Sequence, residues 1–480
     1  MRNKNKPRSA VPKGHFISGQ RSPQAEPTFY LLTLGCPKNI FDSEGISEML
    51  LQASYNGTDD PNRADVLIVN TCGFLQAAKD ESISALQELA AIKKKNQAKG
   101  RQQLLIAAGC MAQRFGSEVT RQVKGLDGLI GTRAWTDIVP FIQKLRAEKR
   151  PEPLYHLPET GDTPIETIAL NRQRVDVGRA SAYLKISDGC SAPCAFCTIP
   201  SFKGLNRSRP REHVVAEAQR LAAAGVQEII LIAQDTTAYG RDWGELDGLP
   251  TLLEELVNAA PELKWWRLMY AYPGHASDRL VDVMAAHPQI IPYIDMPLQH
   301  GHPATLKRMR RPHNVDKLLS WMAKYRQAMP GAVLRTTFIV GYPGETEAEF
   351  QGLLDFMAAV QFDRVGAFTF SPEPGTPAFD LPDQIDDATK QERWERLMAF
   401  QQPISLERNR QMVGKRLEVL VDGAGDGVSI TRSYRDAPEI DGYVVVEKEL
   451  PIGQMVPVLV TGAMEYDLVA MPANELIIMM

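Results

Sequence analysis

Residues 185–200 read KISDGCSAPCAFCTIP and place three cysteines in a C-x3-C-x2-C spacing: Cys190, Cys194 and Cys197. The apolar run at 182–188 predicts a strand that leads directly into this loop. Thiolates are the usual protein ligands of iron–sulfur clusters, and three of them on a four-iron cluster leave one iron open. A zinc knuckle and chemically inert loop thiols are the alternatives. Zinc needs a fourth ligand, and the nearest candidate, His213, follows 16 residues after Cys197.

The predicted strand at 182–188 is the first of six that alternate with helices. The other five are predicted at 227–233, 265–271, 291–297, 333–340 and 364–370. The intervening helices are predicted at 211–225, 248–260, 277–287, 303–328 and 346–360. Six βα units are more than one mononucleotide-binding half of a doubly wound fold contains. Residues 181–385 are therefore predicted to form a partial, TIM-like (β/α)6 barrel. Reactive groups on such a barrel lie at the C-terminal ends of the strands, where the cysteine loop falls.

Residues 28–150 also alternate, which predicts a doubly wound parallel sheet. Strands are predicted at 29–34, 64–70, 104–108 and 126–130, and helices at 43–54, 74–96 and 136–148. A cysteine directly follows each of the first three strands: Cys36, Cys72 and Cys110. Because ligands of such sheets bind beyond the carboxyl ends of the strands, we expect these thiols to converge at one edge.

The remaining segments differ in composition. Residues 1–27 carry six basic side chains against Glu26 and predict a disordered basic tail, with ribosomal RNA contact as the alternative. The proline-rich residues 151–180 predict a linker, 386–411 a connecting helix, and 412–480 a small antiparallel β-barrel. No apolar run approaches the roughly 20 residues of a membrane span. The start of the chain lacks the pattern of a signal peptide, which predicts the cytoplasm, where thiols stay reduced.

The C-x3-C-x2-C loop on a partial barrel resembles the radical S-adenosylmethionine superfamily. Three upstream cysteines and a downstream barrel of the OB-like TRAM type narrow this to its methylthiotransferase family, over residues 28–480. The resemblance implies two four-iron (4Fe-4S) clusters, one on Cys36, Cys72 and Cys110 and one on the catalytic cysteines Cys190, Cys194 and Cys197. It also implies S-adenosylmethionine as methyl donor and radical source, and an electron donor such as flavodoxin or ferredoxin.

Seven further residues are predicted cofactor contacts: Phe196, Gln234, Asp235, Gln299, His300, Arg335 and Gly341. Phe196 matches an aromatic near the adenine in the superfamily, although packing in the core is the alternative. Many superfamily members carry Gly-Gly-Glu where this chain has Gln234 and Asp235, so the assignment of these two is only positional. The guanidinium of Arg335 can pair with the cofactor carboxylate.

Structural roles remain the alternative for His300 and Arg335, while Gly341 permits close backbone approach to a nucleoside. Four basic residues lie near the start of a predicted helix: Lys307, Arg308, Arg310 and Arg311. They are predicted to form a solvent-exposed face of this helix, and contact with the substrate is the alternative.

Two substrates are consistent with the family. One is C2 of a tRNA adenosine, and the other is the β-carbon of an aspartate in small-subunit ribosomal protein S-twelve, free or in the ribosome. The segments LGCPKNIFDSE, SPEPGTPA and RSYRDAPEIDG resemble the members that act on the ribosomal protein. Residues 412–480 hold five bases and eleven acids, a balance of −6 that suits a basic protein partner and disfavours direct tRNA binding. A non-catalytic iron–sulfur protein that binds RNA is the third alternative.

Overall fold

The structure is a computed structural model that describes residues 26–73, 75–148, 150–159 and 180–474. The chain divides into two compact units, Met1–Val175 and Asp176–Met480. Nearly all of the predicted basic tail and most of the predicted linker lie outside the described residues. Within the described part, no helix combines the length and apolar character needed to cross a membrane.

The first unit contains a six-stranded sheet in the order β2-β1-β3-β4-β5-β6, with every pair parallel. Its strands are β1 (Thr28–Thr33), β2 (Asn56–Gly57), β3 (Val66–Thr71), β4 (Leu104–Gly109), β5 (Gly128–Gly131) and β6 (Leu154–His156). Its helices are α1 (Pro37–Gln52), α2 (Gln76–Gln97), α3 (Cys110–Gln122) and α4 (Ile138–Ala147). All six residues of β3 are buried, as expected for a central parallel strand covered on both faces. The predicted doubly wound sheet is confirmed.

Three elements of this unit escaped prediction: the two-residue edge strand β2, helix α3 and strand β6. Helix α3 begins at Cys110 with no connecting loop, and Phe115 (φ −127°) interrupts its helical geometry, which obscures the period. The linker predicted from residue 151 is wrong at its start, because β6 pairs in parallel with β5 through Gly128 and Leu154. Strand β6 has only three residues and forms one edge of the sheet, a position where flanking prolines are tolerated.

The second unit begins with six parallel strands in sequential order, β7-β10-β11-β12-β13-β14. They are β7 (Ser181–Lys185), β10 (Glu228–Ile232), β11 (Trp265–Leu268), β12 (Ile290–Asp295), β13 (Val333–Val340) and β14 (Arg364–Thr369). The short strands β8 (Ser187–Asp188) and β9 (Arg207–Ser208) form a separate antiparallel ribbon. This arrangement confirms the predicted partial (β/α)6 barrel.

The helices of this unit cover the six strands. They are α5 (Ile199–Lys203), α6 (Arg211–Ala223), α7 (Gly248–Ala259), α8 (Asp278–Ala286), α9 (Pro303–Arg308), α10 (Val315–Ala328), α11 (Glu347–Val360) and α12 (Asp387–Arg410). The helix predicted at 303–328 is therefore two helices. Arg310 adopts a left-handed conformation (φ +54°) and Pro312 cannot continue a helix, so the chain turns between α9 and α10.

The C-terminal segment folds into a closed five-stranded barrel in the order β15-β16-β17-β19-β18. Its strands are β15 (Arg416–Gly425), β16 (Val428–Ser433), β17 (Val444–Val446), β18 (Met455–Ala463) and β19 (Leu468–Pro472). Pairing is antiparallel except between β17 and β19, which run parallel, so the predicted antiparallel barrel needs this one correction. Alternating valines of β15, β17 and β18 fill its core.

A buried charge network joins this small barrel to the N-terminal ends of the (β/α)6 strands. Glu228 on β10 accepts hydrogen bonds from Arg267 of β11 (2.7 Å) and from Arg432 of β16 (2.8 Å). All three side chains are almost fully buried. Three further ion pairs cross the same boundary: Arg335 with Asp441, Arg364 with Asp436, and Asp363 with Arg435. Ion pairs therefore hold the two parts in one arrangement, with opposite charges contributed from both sides.

Candidate functional site

The loop that carries Cys190, Cys194 and Cys197 lies between the paired strands β8 and β9. Gly189 starts it with φ +76°, and a Cβ at this position would lie 2.1 Å from the carbonyl oxygen of Leu205. Only glycine fits such a close approach. The N–H of Cys190 then donates to the carbonyl of Gly204 (3.0 Å), which closes the loop at its base.

The middle of the loop is held from two other elements. The N–H of Ala195 donates to the carbonyl of Met309 after α9 (3.0 Å), and its carbonyl accepts from the N–H of Ala378 (2.9 Å). Phe196 packs against a buried apolar cluster that includes Met309 and Ala378. This contact gives Phe196 a packing role, which is the alternative considered from the sequence.

Each thiol of the loop has a hydrogen-bond donor. The N–H groups of Ala192 and Ile199 donate to the sulfurs of Cys190 and Cys197, both at 3.4 Å. Burial raises the pKa of the Cys190 thiol to about 11 and that of Cys197 to about 12, although these N–H groups oppose the shift. The thiols of Cys190 and Cys197 therefore stay protonated near neutral pH, and a metal must displace these two protons to bind.

Arg311 is a site residue that the sequence does not single out, because its basic run predicts a solvated helix face, with substrate contact as the alternative. Its Nη1 donates to the sulfur of Cys194 (3.5 Å), and its guanidinium lies 4.3 Å from the ring centroid of Tyr272. The residue is only 6% exposed. Pro312 was the available signal, because the residue that precedes a proline is disfavoured in the helical conformation, so Arg311 is not expected on a helix face.

The second strand of the barrel brings Gln234 and Asp235 to its C-terminal end. The Oε1 atom of Gln234 is buried and has no hydrogen-bond partner among the described residues, so it can accept from a bound ligand. Asp235 is engaged instead. Its carboxylate accepts from the hydroxyl of Thr237 (2.6 Å) and from the N–H of Ala238 (3.1 Å), and lies 2.8 Å from Nδ1 of His275. Of the two, Gln234 is the better candidate contact.

Gln299, His300 and Gly341 lie near the ends of the fourth and fifth strands. Gln299 adopts φ +75° and bridges to Phe338 of β13. His300 is fully buried, and its Nδ1 accepts from the N–H of His302 (2.9 Å). Its Nε2 makes no hydrogen bond but lies 3.5 Å from a carboxylate oxygen of the buried Glu345, so both ring nitrogens face groups of the chain itself. A Cβ on Gly341 would lie 2.3 Å from Cγ of Lys390, so this glycine accommodates α12.

Arg335 does not lie where the sequence reasoning placed it. It is the third residue of the eight-residue β13, so five residues, or roughly 16 Å, separate it from the C-terminal end. Its guanidinium binds Asp295 (2.6 Å) and Asp441 (3.3 Å). The predicted pairing with a cofactor carboxylate is therefore wrong, because two carboxylates already neutralise this arginine at the opposite end of the barrel.

The three cysteines of the first unit follow three neighbouring strands. Cys36 precedes α1 after β1, Cys72 follows β3, and Cys110 begins α3 directly after β4. Asn39 of α1 links the three strand ends: its Nδ2 donates to carbonyls at the ends of β1 and β3 (2.8 and 3.1 Å), and its Oδ1 lies 3.9 Å from the Cys110 sulfur. A Cβ on Gly35 would lie 3.0 Å from the Cys72 sulfur, so the loop after β1 passes close to Cys72.

Both cysteine sets differ from a site for a single ion. Among the described residues, no three histidine, cysteine or carboxylate side chains are grouped to hold one metal ion. A zinc knuckle requires such a group, whereas each thiolate of a four-iron cluster binds a different iron atom, so its ligands are spread around the cluster. At the C-x3-C-x2-C loop, each of the three cysteine sulfurs has an N–H or guanidinium donor, which suits thiolates that carry negative charge when they bind iron.

Three family descriptions match successive parts of the chain. Residues 28–131 match the uncharacterized protein family UPF0004, residues 184–357 match the radical SAM superfamily, and residues 413–472 match the TRAM domain. The three matches fall on the parallel sheet, the (β/α)6 barrel and the small barrel respectively.

Curated relatives match nearly the whole chain. The ribosomal protein uS12 methylthiotransferase RimO of Chloroflexus aurantiacus is 50% identical over 461 residues, which cover 92% of this chain and 98% of the relative. The protein of the same name from a Roseiflexus species is 46% identical, covering 93% of this chain and 98% of the relative. The one from Synechocystis is 41% identical and covers 94% and 98%.

Solved structures share the fold at low sequence identity. The radical S-adenosylmethionine methyltransferase TsrM from Kitasatospora setae, with tryptophan and an S-adenosylmethionine analogue, superimposes with a TM-score of 0.54. It is 13% identical, and the match covers 83% of this chain and 79% of that one. The cobalamin-dependent radical enzyme OxsB gives a TM-score of 0.50 at 11% identity, covering 79% of this chain and 56% of that one.

Proposed function

The chain belongs to the RimO family of ribosomal protein uS12 methylthiotransferases, and we propose that it adds a methylthio group to the β-carbon of an aspartate in uS12. The observation that carries the proposal is the C-x3-C-x2-C loop at the C-terminal end of the first barrel strand, in a chain that matches these relatives over more than nine-tenths of its length. The tRNA alternative is not favoured by these relatives.

Two sets of three cysteines are assigned to two four-iron clusters. Cys190, Cys194 and Cys197 hold the cluster that binds S-adenosylmethionine, and the radical SAM match supports this assignment. Cys36, Cys72 and Cys110 hold the second cluster, supported by their position after three neighbouring strands of one sheet. Cys190, Cys194 and Cys197 would hold the first cluster, which together with S-adenosylmethionine would supply the radical chemistry needed at an unactivated C–H bond.

The residues of the chain itself supply order and charge around the cysteine loop. Backbone N–H groups and Arg311 stabilise negative charge on the three sulfurs. The contacts of Ala195 with residues 309 and 378 fix the loop between two other segments. The unpartnered Gln234 Oε1 is available to orient the cofactor. Such fixed orientation matters because a primary radical attacks any C–H bond within reach.

Charge supports a basic protein as substrate. Residues 412–480 carry a net charge of −6. The buried network takes up equal numbers of their acids (Asp436, Asp441) and bases (Arg432, Arg435), so the remaining groups keep this net charge. An acidic surface attracts a basic ribosomal protein and repels bare nucleic acid. Flavodoxin or ferredoxin is the proposed electron donor, and the cytoplasm, where ribosomes assemble, is the proposed location.

Matched cysteine variants test the two-cluster assignment. After anaerobic reconstitution, Cys194→Ala is expected to abolish both the reductive cleavage of S-adenosylmethionine and the modification of uS12. Cys110→Ala is expected to retain cleavage, to lose the modification, and to hold about four irons per chain instead of about eight. Continued cleavage by Cys194→Ala contradicts the assignment of the first cluster, and full modification by Cys110→Ala contradicts that of the second.

The substrate is tested separately. The reconstituted enzyme is offered purified uS12 and hypomodified tRNA in parallel, and the products are analysed by mass spectrometry. We expect a gain of one methylthio group on an aspartate of uS12 and none on the tRNA. Modification of the tRNA alone refutes the proposed substrate.

A further inference from the structure

A cavity of about 220 Å³ lies at the end of the second unit opposite to the cysteine loop. Its wall is formed by the segments that precede β13 and β14, by the end of α12, and by residues of the small barrel. Four of its side chains are cationic and one is anionic: Arg326, Arg408, Lys415 and Arg435, with Asp363.

The single carboxylate is shared. Asp363 accepts from Arg326 and from Arg435, each at 3.3 Å, through its two oxygens. Arg326 and Arg408 also donate to the carbonyl of Gln361 at the C-terminus of α11 (2.7 and 3.0 Å), which contributes at most about half a negative charge. Across the described residues, neither Arg408 nor Lys415 has a carboxylate partner. The wall therefore carries an excess of positive charge.

A second observation points to a missing acceptor. Arg435 is 4% exposed, and its Nε is buried without a hydrogen-bond partner. Arg435 already gives Nη2 to Asp363, so Nε is the donor of this arginine that an acceptor in the cavity could still satisfy. The pKa of Arg326 is lowered, first by burial and then by the neighbouring charge of Arg408, as expected for crowded cations without enough counter-charge.

We infer that this cavity binds a phosphate group, either as free inorganic phosphate or as a phosphodiester of a nucleic-acid chain. A tetrahedral anion with up to two charges offers acceptors in several directions, which suits cations contributed by α10, α12 and the small barrel. A carboxylate offers only two oxygens in one plane. The site is independent of the methylthio transfer, since it lies at the other end of the strands. It is also a local exception to the acidic balance of residues 412–480.

The test uses the full-length, reconstituted protein and two rim substitutions that leave the buried pairs of Asp363 intact. Arg408→Gln and Lys415→Gln are combined, and Arg410→Gln, an exposed arginine of the same helix outside the cavity, is the matched control. Sodium phosphate is titrated calorimetrically at constant ionic strength, balanced with sodium chloride. In a second arm, a short single-stranded RNA without a terminal phosphate replaces it. Hydrogen exchange of residues 326–332 and 408–415 localises any binding.

Saturable phosphate binding that weakens about tenfold or more in the double variant, and less than about twofold in Arg410→Gln, supports the inference with free phosphate as the source. RNA binding with the same pattern, without binding of free phosphate, supports it with a phosphodiester as the source. No saturable binding in either arm overturns the inference. Equal weakening by Arg410→Gln, or no protection of the cavity segments, overturns it as well, because the attraction is then only general charge.

Discussion

Glu228 holds two buried arginines, and its replacement by glutamine should expose how much the charge network stabilises the second unit. Burial alone raises the pKa of this carboxyl, but Arg432 and Arg267 outweigh that effect and hold its pKa at about 2, against an ordinary value of 4.5. That difference corresponds to about 3 kcal/mol of stabilisation at neutral pH. Removal of one partner from a buried ion pair costs about 3–5 kcal/mol, which agrees. We therefore expect Glu228→Gln to lower the free energy of unfolding by about 3 kcal/mol.

The matched control is Glu254→Gln on α7. Glu254 also accepts from an arginine, Arg279 (2.9 Å), but both side chains are about two-fifths exposed. Exposed pairs contribute about 0–1 kcal/mol, so this variant should be close to wild type. Both substitutions remove one charge and keep the size of the side chain, so any difference between them reports burial.

The assay is urea unfolding at several pH values, followed by tryptophan fluorescence. Five of the six tryptophans lie in the second unit, and Trp265 and Trp266 directly precede Arg267 on β11. Because the folded pKa of Glu228 is lowered, its contribution is fully present above about pH 4.5 and is lost as the pH falls toward about 2. The difference between wild type and Glu228→Gln should narrow over that range. A loss no larger than that of Glu254→Gln, or one that does not change with pH, refutes the reasoning.

Three further predictions concern the cysteine sites. Arg311→Met should lower the reduction potential of the cluster on the C-x3-C-x2-C loop by about 60 mV, the equivalent of one charged hydrogen bond. Substitution of the exposed Lys307 by methionine should leave this potential unchanged. Both potentials are measured by redox titration with electron paramagnetic resonance. Gly109→Ala should reduce the iron content from about eight to about four per chain, because its Cβ meets side-chain and carbonyl oxygens of β3 at 2.3 and 2.7 Å. Gly100→Ala, also left-handed (φ +82°) but in open space, should retain the iron. Because burial raises the pKa of the Cys197 thiol to about 12, iron binding should release protons. At limiting iron, the amount of iron bound per chain should therefore increase between pH 7 and 8.5. An iron content that does not change with pH contradicts this.

Much of the fold could be predicted because the relevant signals are local. Strand and helix periods gave both parallel sheets, and the cysteines could be assigned to strand ends because each one directly follows an apolar run. Helix α3 and the edge strand β6 escaped, since the first carries a kink and the second is only three residues long. Strand β6 is stabilised by its pairing with β5, and α3 by burial of Met111, Ala112 and Val119 in the core of the first unit, so both depend on residues outside their own segments.

Two arginines show where local signals end. Arg335, in a strand that leads to a glycine motif, was assigned to the cofactor, and Arg311, in a basic run, was assigned to solvent. The structure places Arg335 between Asp295 and Asp441, and it places Arg311 beside the sulfur of Cys194. The sequence shows that both side chains are charged. Their partners, however, lie 40 to 117 residues away along the chain, and tertiary packing determines which residues these partners are.

The order of elements, the two cysteine sets and the acidic balance of residues 412–480 follow from spacing and composition alone, because neither depends on which residues come into contact. The opposite charge that neutralises a buried charged residue, and the end of the barrel at which the two meet, follow only from how the chain packs. The network around Glu228 and the basic cavity around Arg435 both depend on side chains from the small barrel meeting the ends of the (β/α)6 strands. Such contacts form between residues distant in sequence, where neither periodicity nor composition carries information.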